Sequence, residues 1–246
     1  MRGCFGALVA VVVLLGGQAE AQNAPGAQRV IDRAQAAMGG ARAWNDLRGL
    51  HESGEQGGVK FNRWLDPLRY GLRIETEGPS GKLVQGYNGA AEWRVLANGV
   101  ATGSVARDVV GKVRSEAFFG AYGYFFPSRF DLRSVPVGER QSQGKTYDVL
   151  RVQPAGGVPR ELWFDRKTGL LGLMIEEGAP GSRPLTTEVS DYRKVGKITV
   201  PHRFVTHGGD LKAPLERRIT GVDVQPADRM RFSLPPPSVK SPLPKS

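Results

Sequence analysis

The chain has 246 residues, a formal net charge of +10, one cysteine and three histidines. The cysteine, Cys4, precedes an N-terminal apolar run, so the secreted product carries no thiol; disulfides, cysteine metal sites and thiol catalysis are excluded from it. The length suits one large β domain, and no later apolar stretch is long enough to cross a bilayer.

Residues 1–21 read as a secretory signal: Arg2 supplies the positive start, 7–15 the short apolar run, and Ala19-Glu20-Ala21 the cleavage pattern. A lipoprotein acylation site would need a cysteine after that run, so a lipid anchor is not expected. The product is therefore expected in a bacterial periplasm or outside the cell, consistent with the absence of any N-x-[ST] sequon. Losing Arg2 and Glu20 leaves the charge balance unchanged. In that compartment the available anionic partners are lipid headgroups and lipopolysaccharide, not nucleic acid. Lys and Arg are spread evenly along the chain, so a merely solvated basic surface is the competing reading.

Ala27, Val30, Ile31, Ala34 and Met38 recur at helical spacing, and Gly39-Gly40 stops the pattern before a short turn through Trp44. The period then falls to two. Strands are predicted over 47–56, 60–65, 69–76, 83–87 and 92–97, punctuated by Gly57-Gly58, Asp66-Pro67, Pro79-Ser80-Gly81 and Asn88-Gly89. Ala106, Val109, Val110, Val113 and Ala117 return to a helical face and run into an uncharged segment holding Phe118, Phe119, Tyr122, Tyr124, Phe125 and Phe126. Strands resume over 132–140 and 147–153. A meander follows over 160–164, 170–176, 185–192 and 198–206, with turns at Asp165–Gly169, near Gly181 and at Val195-Gly196-Lys197. A last strand is predicted over 215–224, and 234–246 is too rich in proline to pack, so it is expected to be an extended tail. The fold class is mainly β (α+β): a curved antiparallel sheet with an N-terminal helix and an inserted helical segment.

Little in the chain suggests bond-making chemistry. Gly138–Thr146 mimics a phosphate loop, but five residues separate its glycines and it precedes a strand; it is predicted to be a hairpin turn. His202 and His207, five apart on one strand, face opposite ways, and His51 is remote. No H-E-x-x-H or G-x-S-x-G is present, and no nucleophile has a base in evident reach. Carboxylates at Glu75, Glu77, Glu176 and Glu177 default to solvated positions, and Tyr192-Arg193 and Arg69-Tyr70 to cross-strand packing. No metal or cofactor is expected.

The segments WLDPLRYGLRIET, LVQGYNGAAEWRV, LWFDRKTGLL and SDYRKVGKITVPHRF, in that order, resemble the LolA/LolB-like superfamily of envelope lipoprotein carriers over roughly residues 30–232. The resemblance implies an unclosed antiparallel barrel around an apolar cavity, helices over its mouth, an acyl-chain or other lipid ligand, and no cofactor. It implies a half-barrel domain over 22–233. Relatives also act as envelope sensors, which makes an envelope protein the alternative partner. One departure matters: carriers place a basic residue before the proline of the strand-turn element, where this chain has Asp66, flanked at a distance by Arg63 and Arg69. That departure bears on lipoprotein trafficking rather than on the fold.

A lipid pocket would draw its lining from alternating strand positions and from the insertion. The candidates are Leu83, Tyr87, Trp93, Leu162 and Phe164 on strands, and Val109, Val113, Phe118, Phe119 and Tyr122 on the insertion. Each buried methylene contributes about 0.8 kcal/mol, so an acyl chain binds without a specific polar contact. Two readings of the aromatic segment stay open, a lid that lifts or a plug that fills the core; they differ in exposure when the pocket is empty.

Overall fold

A computed structural model describes residues 24–178, 181–226 and 228–235; the predicted signal and nearly all of the predicted tail lie outside them. Helix α1 spans Pro25–Ala37, with proline at its start, where its missing N–H is no loss, and Ala27, Ile31 and Ala34 buried on one face. Gly39, at φ 114°, ends it with its α-carbon close to the Lys197 carbonyl. The turn through Trp44 is a short helix, α2 (Ala41–Asn45), whose indole N–H donates to the Met38 carbonyl at 3.0 Å.

Six strands follow: β1 (Leu50–Gln56), β2 (Val59–Asp66), β3 (Gly71–Gly78), β4 (Gly81–Tyr87), β5 (Glu92–Val95) and β6 (Ala101–Ser104). Helix α3 (Arg107–Gly120) and a 3-10 turn at Gly123–Phe125 form the insertion. Seven more strands follow among the described residues: β7 (Leu132–Ser142), β8 (Lys145–Pro154), β9 (Arg160–Asp165), β10 (Leu171–Glu176), β11 (Leu185–Val195), β12 (Ile198–Gly208) and β13 (Leu215–Val224), with a 3-10 turn at Arg229–Phe232 after them. Strand β6 was not among the predicted elements: Ala-Thr-Gly-Ser lacks an apolar alternation, and backbone pairing with β5 alone defines it.

The thirteen strands of the described residues form one antiparallel sheet in the order β6-β5-β4-β3-β2-β1-β13-β12-β11-β10-β9-β8-β7. The first and last strands pair at its centre, and the edges, β6 and β7, do not pair with each other. The chain passes from one edge to the other through α3, which packs on β2 to β5 on one side and on β8 on the other. A sheet that touches one helix from both sides must curl round it. The result is an unclosed, mainly β barrel, as predicted.

Turn chemistry holds the hairpins in register. Asp165 Oδ1 accepts the Lys167 and Thr168 amides at 2.8 and 2.9 Å, and Gly169 closes that turn at φ 77°. The false phosphate loop is a two-residue hairpin, Ser142 paired with Lys145, its Gln143 and Gly144 both at positive φ. At Gly54 the β1–β13 register slips by one residue, and a side chain there would strike the Arg218 carbonyl.

One large core cluster fills the α1 side of the hollow. Trp44, Tyr122, Tyr124 and Phe125 pack at centroid distances of 4.7 to 6.3 Å, and Phe118, Phe119, Phe130 and Tyr70 form a second aromatic group. Tyr122 holds φ 55°, a left-handed conformation costly for a bulky residue, and its ring is wedged between Trp44 and Tyr124. In this structure the aromatic segment fills the core.

Candidate functional site

The hollow is not filled along its whole length. On the far side from α1, three adjoining cavities of about 390, 350 and 320 Å³ lie on the concave face; the second is roofed by the first turns of α3, and Glu116 of α3 also borders the first. Ile74 lines all three; Gln85 and Glu116 line both the first and the second, and Gln56 and Arg217 both the first and the third, so they form one branched cleft. Strand alternation builds its walls. From β2, Val59, Phe61 and Arg63 face in; from β13, Leu215 and Arg217; from β12, Phe204 and Thr206. Met174, Leu185 and Thr187 complete the side toward β10 and β11.

Between these apolar side chains sits a chain of ion pairs. Arg63 is almost fully buried and donates from Nε and Nη2 to Glu52 Oε2 at 2.8 and 2.5 Å. Its Nη1 reaches Glu116 Oε1, on α3, at 3.1 Å. Arg160 Nη2 lies 3.7 Å from Glu116 Oε2, and Arg217 Nη1 lies 3.8 Å from Oε1. Glu116 is thus surrounded by guanidinium groups from β2, β9 and β13. Although burial opposes ionisation, Arg160, Arg63 and Arg217 pull its pKa down to about 2. Arg160 has a second carboxylate of its own, Glu176, at 2.7 Å. Arg217 has none: it stacks on Phe204 at 4.2 Å, its Nε is buried without a partner, and burial lowers its pKa to about 10.

Helix α3 is fastened at both margins of the opening. Arg114 donates to the Tyr87 hydroxyl at 2.9 Å and to the Gly89 carbonyl at 3.1 Å on the β4–β5 side, and to the Ala155 carbonyl at 2.9 Å on the β8–β9 side. The buried Ser115 hydroxyl accepts the Val158 amide at 2.6 Å. One helical turn therefore stitches the two halves of the sheet together where strands do not.

The sequence candidates are distributed unevenly. Val109 and Val113 line the cleft. Phe118, Phe119, Tyr122, Leu162 and Phe164 lie in the main core cluster, as does Tyr87, whose hydroxyl donates to Gly89. Leu83 is partly exposed near the start of β4. Trp93 sits on the other face of the sheet: it covers Gly86, and its indole donates to the Phe232 carbonyl at 2.8 Å. The pairing of Glu92, not Trp93, with Tyr87 reverses the phase expected for β5.

Glu52, Glu116, Arg160 and Arg217 were not singled out from the sequence, though a signal existed. Arg63 alternates with Phe61 and Leu65, and Arg217 with Leu215 and Ile219, so each occupies an inward position on its strand. Glu176, expected in solvent, pairs with Arg160, and Glu75 with Arg73 and Lys82. Asp66, in place of the carriers' basic residue, is buried and accepts the Leu68 amide at 2.8 Å, which fixes the turn into Pro67. The histidines make local contacts: His51 stacks on Trp64 and lies 3.0 Å from Asn62, and His202 Nδ1 lies 3.0 Å from the Val200 carbonyl. Among the described residues, no group of three or more His, Cys, Asp or Glu is placed to hold a metal, and no helix is long and apolar enough to cross a membrane.

A sheet curled round a helix, with one end of its hollow filled and the other open, defines the LolA-like half-barrel fold. Known structures agree. A LolA superfamily protein from Nitrosomonas europaea superposes with a TM-score of 0.56 at 10% identity, over 84% of this chain and 97% of that one. A putative outer membrane lipoprotein-sorting protein domain from Vibrio parahaemolyticus gives 0.54 at 13%, over 80% and 91%. A DUF1329 family protein from Desulfovibrio piger ATCC 29098 gives 0.53 at 13%, over 80% and 92%. At such identities the likeness is one of fold. No protein-family model matches the sequence, and no curated protein matches it.

Proposed function

We propose that the protein is a periplasmic binding protein that holds an acyl chain or another lipid in the cleft beneath α3, making and breaking no bond. One observation carries this reading: the concave face keeps a continuous cleft walled by Ile74, Met174, Leu185, Phe204 and Leu215 while the rest of the hollow is packed. Val109 and Val113 would touch the ligand from the roof, and the first turns of α3 would be the part that moves. The remaining sequence candidates would support the pocket from the core. The signal-like N-terminus supports a periplasmic location, and the similarity to a lipoprotein-sorting domain supports a place in lipid or lipoprotein handling at the outer membrane.

Native mass spectrometry with solvent extraction of the purified protein tests the reading, together with displacement of the uncharged probe N-phenyl-1-naphthylamine by long-chain compounds. Co-purifying lipid and competition for one site are expected. Absence of both defeats the proposal.

A second reading, a sensor or scaffold acting through a protein partner, draws support from the aromatic packing that fills the α1 side of the hollow. A pull-down from envelope extract, with and without the residues after Leu234, distinguishes it: a tail-dependent partner with no lipid bound favours the scaffold.

A further inference from the structure

The three arginines around Glu116 are not equivalent. Arg63 has Glu52, and Arg160 has Glu176, each in direct hydrogen bonds. Arg217 has only a share of Glu116 at 3.8 Å, beyond hydrogen-bond reach, while its Nε is buried without an acceptor. A cation held on an aromatic face with a donor unsatisfied is costly, and an anion brought to it recovers that cost. The side chain keeps 20% of its surface accessible and lines two branches of the cleft. Around it stand the amide of Gln56 and the apolar side chains of Phe61, Leu185 and Leu215.

We propose that Arg217 receives the ionised acid group of a single-chain amphiphile, the head buried beneath α3 and the alkyl chain running toward Leu215, Leu185 and Val59. This rests on the lipid-binding reading above and names the ligand class. Guanidinium matches a carboxylate or phosphate in a paired, charge-assisted geometry that no neutral head provides. Each branch of the cleft, of about 390, 350 and 320 Å³, is at the small end of ligand pockets, so the branches that meet at Arg217 each suit one chain rather than several. Glu116, Glu176 and Glu52 are the anions that face the site or act on Arg217, and Arg63 and Arg160 the other cations; each of the three carboxylates is already held by an arginine. A bound acid would compete with Glu116 for Arg217 and loosen one of the contacts that hold α3 down.

The test measures displacement of N-phenyl-1-naphthylamine from the purified protein by dodecanoate, dodecyl phosphate, dodecan-1-ol and phosphatidylglycerol vesicles. At pH 7 the acids are expected to bind at least about tenfold more tightly than the alcohol. Arg217→Met should lower affinity for both acids at least about tenfold relative to that for dodecanol, and Arg217→Lys should retain part of the difference. Circular dichroism checks folding. If Arg217→Met does not fold, the wild type decides: the advantage of dodecanoate must fall severalfold between pH 7 and pH 4, where most of the free acid takes up its proton but Glu116 stays ionised. Preference for dodecyl phosphate over dodecanoate supports the acid site and identifies the head as a phosphate monoester. Equal binding of acid and alcohol overturns the acid site and leaves the lipid-binding reading standing. Displacement by the vesicles alone overturns the single-chain assignment. If the probe itself does not bind, the underlying reading fails first.

Discussion

Glu116 is held ionised by three guanidinium groups, so its charge is a structural device. Its pKa, near 2, lies below the ordinary carboxylate value of 4.5. The ion pairs therefore contribute fully above about pH 4.5 and fade as the pH falls toward 2. Glu116→Gln should lower the unfolding midpoint at pH 7 by the equivalent of about 1–3 kcal/mol, since it leaves Arg217 and Arg160 less compensated. It should also flatten the dependence of stability on pH between 4.5 and 2. Urea unfolding of both proteins across that range checks both statements.

The Glu52–Arg63 pair makes a second test at this scale. Both side chains are 3–4% exposed, so removing one partner strands a charge in the interior. Glu52→Ala should cost about 3–5 kcal/mol, and the double change Glu52→Leu with Arg63→Met should cost clearly less than the sum of the two single losses, because Glu116 keeps Arg160 and Arg217. A double cycle in which the two single losses simply add would show that the pair is not coupled. Arg63 was legible as an inward position on β2 but not as an ion-pair partner, because Glu116 is 53 residues away and on another element.

At the level of elements, α3 has two characters. Its start, around Val109 and Lys112, roofs the cleft; its end, from Ala117 to Phe119, is buried in the core. Phe118→Ala should destabilise the whole protein by about 3–5 kcal/mol, and Val109→Ala by under about 1 kcal/mol. Hydrogen exchange should be faster for the amides at 110–112 than for those at 118–121, and Arg114→Met should widen that gap by cutting the ties to Gly89 and Ala155. Uniform exchange along α3 would argue against a movable roof. The sequence showed the helix and the aromatic segment clearly. It left lid and plug undecided because periodicity reports which side chains leave water, not which neighbours they meet.

For the whole molecule, the central pairing of β1 with β13 joins residues from opposite ends of the chain. Such non-local closure slows folding, so refolding from urea should take milliseconds to seconds rather than microseconds. A chain ending before Leu215 would lose a central strand rather than an edge and should not fold cooperatively; circular dichroism and a urea titration show which holds.

Every strand but β6, with the turns and the two main helices, follows from local chemistry: period-two apolarity, glycine and asparagine or aspartate at turns, and a return to helical spacing from residue 106. Those signals act between near neighbours in the chain, which is why they can be read there. What the tertiary structure alone decided is the division of the hollow: rings at one end, and at the other a cleft in which Arg217 shares the Glu116 carboxylate with Arg63 and Arg160. That outcome depends on how far the sheet curls and which strand faces which, and the backbone settles it only when β1 and β13 close the centre and α3 bridges the edges.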